Sequence, residues 1–162
     1  MVLELILALG YEFGYIGVFL ASMIGSATIL LPLPASIITF TFGALLNPLV
    51  VGIAAGVGSA IGELTGYLAG AAGNKIASKK KHEQKKVFIK IKKWFSRKPG
   101  FLLVVIFALT PLIFDIMGIF CGIIRYDIKK FFLGTLIGKI ILNVAIAYAG
   151  FYGINAIAPW LL

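Results

Sequence analysis

Within the apolar runs that follow Glu12, three charged residues stand out, Glu63, Asp115 and Lys139, with Arg125 at the end of a run. Residues 13–62 carry no charge at all. An ionisable side chain near the centre of a bilayer costs about 2.5–3.5 kcal/mol even on insertion scales, so one that is retained there has a partner or a function. The chemistry such residues offer is that of a polar pathway for a charged or proton-bearing group. Glu63 and Lys139 fall near the middles of two long apolar stretches, and a pair between them is expected. Breaking a buried pair costs about 3–5 kcal/mol, so neutralising Glu63 alone should cost more than neutralising both. Asp115 lies in a short apolar region beside Pro111, where irregular backbone is tolerated only next to protein or water. Arg125, Lys129 and Lys130 could hold a lipid phosphate, or serve as ordinary basic residues at a membrane edge.

Other chemistries lack their residues. His82 is the sole histidine and has no second His or Cys beside it, so no metal site is expected. Cys121 is the sole cysteine and cannot form an internal disulfide. There is no Gly-rich phosphate loop and no Ser grouped with His and Asp. Glu63 and Asp115 match no intramembrane aspartyl motif. No enzyme and no cofactor is expected.

The elements that position these groups follow from composition. Of 162 residues 60% are hydrophobic and 13% charged, and the mean hydropathy is +1.04, against about 45–50% and 25% in soluble domains. The chain reads as an all-α, polytopic integral membrane protein. Fifty uncharged residues in one helix would reach about 75 Å, more than twice the hydrocarbon thickness. The run must break, and Pro32, Pro34, Asn47 and Pro48 supply the breaks. Ala35 to Leu46 is too short to cross, whereas Leu49 to Gly73 is long enough. After the basic segment, Gly100 to Phe114 and Ile116 to Ile124 are each too short to cross and read as a re-entrant hairpin. A single kinked span there would set Arg125, Lys129 and Lys130 on the side opposite the main Lys block, against the positive-inside rule. Phe131 to Pro159 is long enough to cross and continue along the far interface, with Trp160 as an anchor.

Pro32, Leu33, Ile37 and Gly43 coincide with Pro111, Leu112, Ile116 and Gly122 at an offset of 79; Gly58, Ile61, Ala69 and Gly70 coincide with Gly138, Ile141, Ala149 and Gly150 at 80. Each copy reads as hairpin then crossing. One crossing separates the copies, so the second is expected to be inverted, an arrangement that points to a transporter-type site at mid-membrane. The expected organisation is a single membrane domain. It comprises an N-terminal helix (1–24), repeat 1 (25–73), a basic loop with an amphipathic helix (74–98), repeat 2 (99–150) and a C-terminal interfacial segment (151–162). Pro32, Pro34 and Pro111 mark the hairpin tips. Val2 to Met23 either spans, despite Glu12, or lies at the interface. With Glu4 and no basic n-region, the N-terminus does not suit a cleaved signal peptide.

Pro32-Leu33-Pro34, Gly58 to Gly70 (GSAIGELTGYLAG), Thr110 to Gly122 (TPLIFDIMGIFCG) and Phe131 to Lys139 (FFLGTLIGK) together resemble the DedA, or SNARE-associated Golgi protein, superfamily and its VTT domain. The resemblance covers nearly the whole chain. It implies two re-entrant hairpins facing each other from opposite leaflets and a role in moving lipids, phospholipid or polyprenyl-phosphate, between leaflets. Many members carry an acidic residue after the first Pro-x-Pro and arginines around the second hairpin's proline; here those positions read Ala35-Ser36 and Thr110-Pro111 with Asp115, closer to a small branch.

Eleven of the fifteen Lys and Arg residues lie between Lys75 and Lys98, which marks that segment as cytoplasmic. Within it Val87, Ile91, Trp94 and Phe95 stand at helical spacing among lysines, as in an amphipathic helix on a leaflet. The expected partners are membrane lipids, with anionic headgroups at the basic loop, and a homo-oligomer is left open. Nucleic acid is not expected of a chain held in a membrane. The expected function is a lipid scramblase or flippase-like protein of the cell membrane. The alternatives are a proton-coupled small-solute transporter and a noncatalytic membrane-organising protein.

Overall fold

In the computed structural model the described residues are 2–27, 35–77, 93, 95, 98–110 and 114–161. Seven helices are seen among them and no strand: α1 (Val2–Ala27), α2 (Ala35–Leu45), α3 (Pro48–Gly62), α4 (Leu64–Ala77), α5 (Lys98–Ala108), α6 (Phe114–Ile123) and α7 (Ile128–Leu161). Pro32, Pro34 and Pro111, expected from the sequence at hairpin tips, lie outside the described residues, as does most of the segment from His82 to Arg97.

Local chemistry sets the helix ends. Asn47 caps α3: its Oδ1 accepts from the backbone N–H of Leu49 and Val50 at 3.1 and 3.3 Å, and Pro48 stands at the first helical position, where no N–H is needed. Asp127 caps α7 in the same way, accepting from Lys129 and Lys130 at 2.9 and 3.0 Å. The C-terminus of α5 tightens into a turn in which Leu109 and Thr110 donate to Ile106 and Phe107. α1 is broken at Gly14, whose φ of 55° and ψ of −124° only glycine enters freely. That break leaves Gly14–Ala27 as a short apolar helix.

Two stretches are long and apolar enough to cross a membrane, Pro48–Gly73 and Ile128–Gly153. α2, α5 and α6 have 11, 11 and 10 residues, about 15–17 Å each and half of the roughly 30 Å hydrocarbon core.

The chain divides into two compact units, residues 1–62 with 139–162, and residues 63–138. In the first, α3 is gripped on two faces by glycines four residues apart. A Cβ on Gly58 or Gly62 would strike the carbonyls of Phe19 and Met23 on α1, and one on Gly52 or Gly56 would lie 2.5 and 2.6 Å from the Cα of Val144 and Ile140 on α7. Such small residues let backbones approach where packing, not water, drives helix association. Val18, Ala21, Ile38, Phe42, Val51, Ala55 and Ala147 form the core of this unit. The second unit is aromatic: Tyr67 and Phe114 lie against Phe131, with ring centroids 5.2 and 5.9 Å apart, and Phe95 meets Phe120 and Tyr126 edge-on at 5.6 and 5.1 Å. Phe95, read from the sequence as part of a lipid-facing stripe, is 3% exposed and packs on protein.

Candidate functional site

Each unit buries polar groups among apolar helices. In the first unit Lys139 and Asn143 lie one turn apart on α7, 5% and 4% exposed. Thr39 of α2 donates from Oγ1 to the Asn143 Oδ1 at 3.0 Å, and the Asn143 Nδ2 donates to the Lys139 carbonyl at 2.8 Å. The amide therefore ties α2 to α7. Ser22 of α1 is also fully buried. A shallow open groove of about 270 Å³ lies on this unit against Ser36, Ile37, Phe40 and Ile146.

In the second unit Glu63 is 4% exposed at the turn between α3 and α4. Gly118 of α6 lies beside it: a Cβ there would stand 3.8 Å from the Glu63 carbonyl and the Tyr67 N. Asp115 is half-buried in the first turn of α6, where a negative charge favours the helix dipole. The Tyr67 hydroxyl donates to the Tyr126 carbonyl at 2.5 Å. Arg125 is exposed at the corner between α6 and α7.

Two pairs of close backbone contacts recur at matching positions in the two units. In the first, Gly43 of α2 lies against Ala147 and Gly150 of α7 against Phe40; in the second, Gly122 of α6 lies against Tyr67 and Gly70 of α4 against Ile119. The α2 and α6 members differ by 79 and the α4 and α7 members by 80. The same shifts carry Thr39 to Gly118 and Asn143 to Glu63. Thus the position that is a neutral, hydrogen-bonded amide in one unit is a carboxyl beside a glycine in the other.

Thr39 and Asn143 were not singled out in the sequence, because their contact joins residues 104 apart. Nor was the Asp127 cap, although a capping residue directly before an apolar run was visible. Among the described residues no His, Cys, Asp and Glu cluster could hold a metal ion.

Residues 33–152 match the VTT domain. The chain belongs to the VTT-domain family. This is the domain of the DedA and SNARE-associated Golgi proteins, and Glu63, Asp115, Arg125 and Lys139 all fall within the match, whereas α1 precedes it. No curated protein and no solved structure matches the chain.

Proposed function

We propose that this VTT-domain protein moves lipids between leaflets without catalysing a covalent reaction. In this reading α1 with α2, and α5 with α6, are re-entrant hairpins, and the two repeats are inverted. The observation that carries it is the set of matching contacts in the two units, Gly43 on Ala147 with Gly122 on Tyr67, and Gly150 on Phe40 with Gly70 on Ile119. A duplicated plan is thereby supported in packing as well as in sequence. Short helices of half-bilayer length fit hairpins that stop at mid-depth, and repeats of this kind house translocation sites near the midplane. Glu63, Asp115, Arg125 and Lys139 are the polar groups offered to a headgroup on its way through the hydrocarbon.

The test is reconstitution of the purified chain into liposomes carrying a headgroup-labelled fluorescent lipid. An impermeant quencher should reach well over half of the label if lipids exchange. Quenching equal to that of empty vesicles would overturn the proposal; uptake of a solute driven by a pH gradient would replace it with a solute carrier.

A further inference from the structure

The corners that lead into α3 and α7 occupy matching places, and they differ in one respect. Leu45-Leu46-Asn47 becomes Ile124-Arg125-Tyr126-Asp127, one residue longer, and this extra residue is what changes the offset from 79 to 80. The longer corner closes α6 with two bonds, Tyr126 N–H to the Cys121 carbonyl at 2.9 Å and Arg125 N–H to the Gly122 carbonyl at 3.0 Å. That arrangement requires a left-handed residue, a place ordinarily given to glycine. Here it is held by Arg125, with φ of 50°, the one non-glycine with positive φ among the described residues.

The next two cations are also placed against local preference. Lys129 and Lys130 occupy the first turn of α7, the positive end of the helix dipole, where basic side chains are disfavoured. The matching positions in the other corner are Leu49 and Val50, behind a proline that suits a helix start. Arg125, Lys129 and Lys130 are all exposed. The neighbouring carboxylate, Asp127, caps the helix through one oxygen and feels the charges of both lysines, yet as a single anion against Arg125, Lys129 and Lys130 it leaves the corner net positive. The apolar span begins at Ile128, which sets these residues at the membrane edge, where headgroup phosphates lie.

We infer that Arg125, with Lys129 and Lys130, is a binding site for the phosphate of an anionic lipid headgroup. The inference rests on the lipid-moving reading for its setting, and goes beyond it by naming the headgroup chemistry and the residue that selects it. A purely topological role for these charges would not require the first of them to sit at a glycine position.

Binding is measured apart from transport, by titrating the full chain in neutral detergent with short-chain phosphatidylglycerol, short-chain phosphatidylcholine or inorganic phosphate, and recording affinity and the thermal unfolding midpoint. Phosphatidylglycerol should bind best. Arg125→Gly should bind it about fivefold more weakly, the worth of one basic residue near an anionic surface, while unfolding at a higher temperature because the left-handed strain is gone. Arg125→Lys should keep most of the affinity, and Lys129→Ala/Lys130→Ala should lose more than the single variant. Unchanged affinity in Arg125→Gly overturns the site, and a lowered midpoint in that variant makes Arg125 a structural residue. Equal binding of phosphatidylcholine removes the anionic requirement, and equal binding of inorganic phosphate removes the lipid. Loss of scrambling with headgroup binding intact would count against translocation alone.

Discussion

Thr39 and Asn143 show what a single polar contact does in an apolar setting. Hydrogen bonds between membrane helices average about 0.6 kcal/mol and reach about 1.7, so Thr39→Val should destabilise the chain by roughly that range, read from unfolding in mixed micelles. At the matching position of the other unit, beside Glu63, a Cβ on Gly118 meets its neighbours at ordinary contact distance, so Gly118→Ala should unfold in mixed micelles close to the wild-type midpoint. Asp115 is half-buried at the start of α6. Asp115→Asn keeps the size and loses the charge, so folded yield should stay near wild type while lipid exchange in liposomes falls. Full exchange by Asp115→Asn would remove it from the pathway. The ionisable residues were legible in the sequence because charge in an apolar run is conspicuous; Thr39 was not, because a lone threonine in such a run is ordinary until its partner, 104 residues away, is known.

At the scale of elements, the helix caps and the glycine contacts make separate predictions. Asn47→Ala should cost about 1 kcal/mol through loss of the α3 cap. Asp127 behaves differently because its cap is charged. The backbone N–H of Lys130, then that of Lys129, and the charges of both lysines hold its carboxyl below the ordinary carboxylate range, against a smaller upward push from desolvation. A lowered folded-state pKa means that its contribution is fully present above the unfolded value, about 3.9, and is lost as pH falls through the lowered value. The unfolding midpoint of wild type should therefore exceed that of Asp127→Ala by a constant margin at neutral pH, and the margin should shrink in strong acid. Among the glycines, Gly122→Ala would drive a Cβ into the Tyr67 carbonyl and push α6 off α4, at a cost of about 1–3 kcal/mol. Gly73→Ala meets nothing within 4 Å and is exposed, so it should be neutral or stabilising by up to about 1 kcal/mol. Both glycines sit in helices, and what separates them is the backbone that Gly122 meets and Gly73 does not.

At the scale of the whole molecule the open question is orientation. The basic residues between Lys75 and Lys98 favour retention on the cytoplasmic side, and a hairpin rather than a crossing at residues 100–124 keeps Asp127 on that same side. With Cys121 replaced, single cysteines at positions 81 and 127 should both resist an impermeant label added outside intact cells. Labelling of position 127 alone would mean that the second hairpin crosses, and the inverted plan would fall with it.

Several features were determined by the sequence alone, because they depend on local composition. The all-helical class follows from apolar length and scarcity of charge, and the start of α3 from Asn47 and Pro48, whereas the break expected at Asp115 falls inside the first turn of α6. Tertiary structure decided what each small or polar residue faces. Gly52 and Gly56 meet α7 whereas Gly58 and Gly62 meet α1, Phe95 packs on protein, Asn143 takes its hydroxyl donor from α2, and Arg125 stands in a left-handed corner. Those outcomes rest on contacts between residues distant in the chain and on backbone angles, and neither leaves a periodic trace in a sequence where nearly every position is apolar.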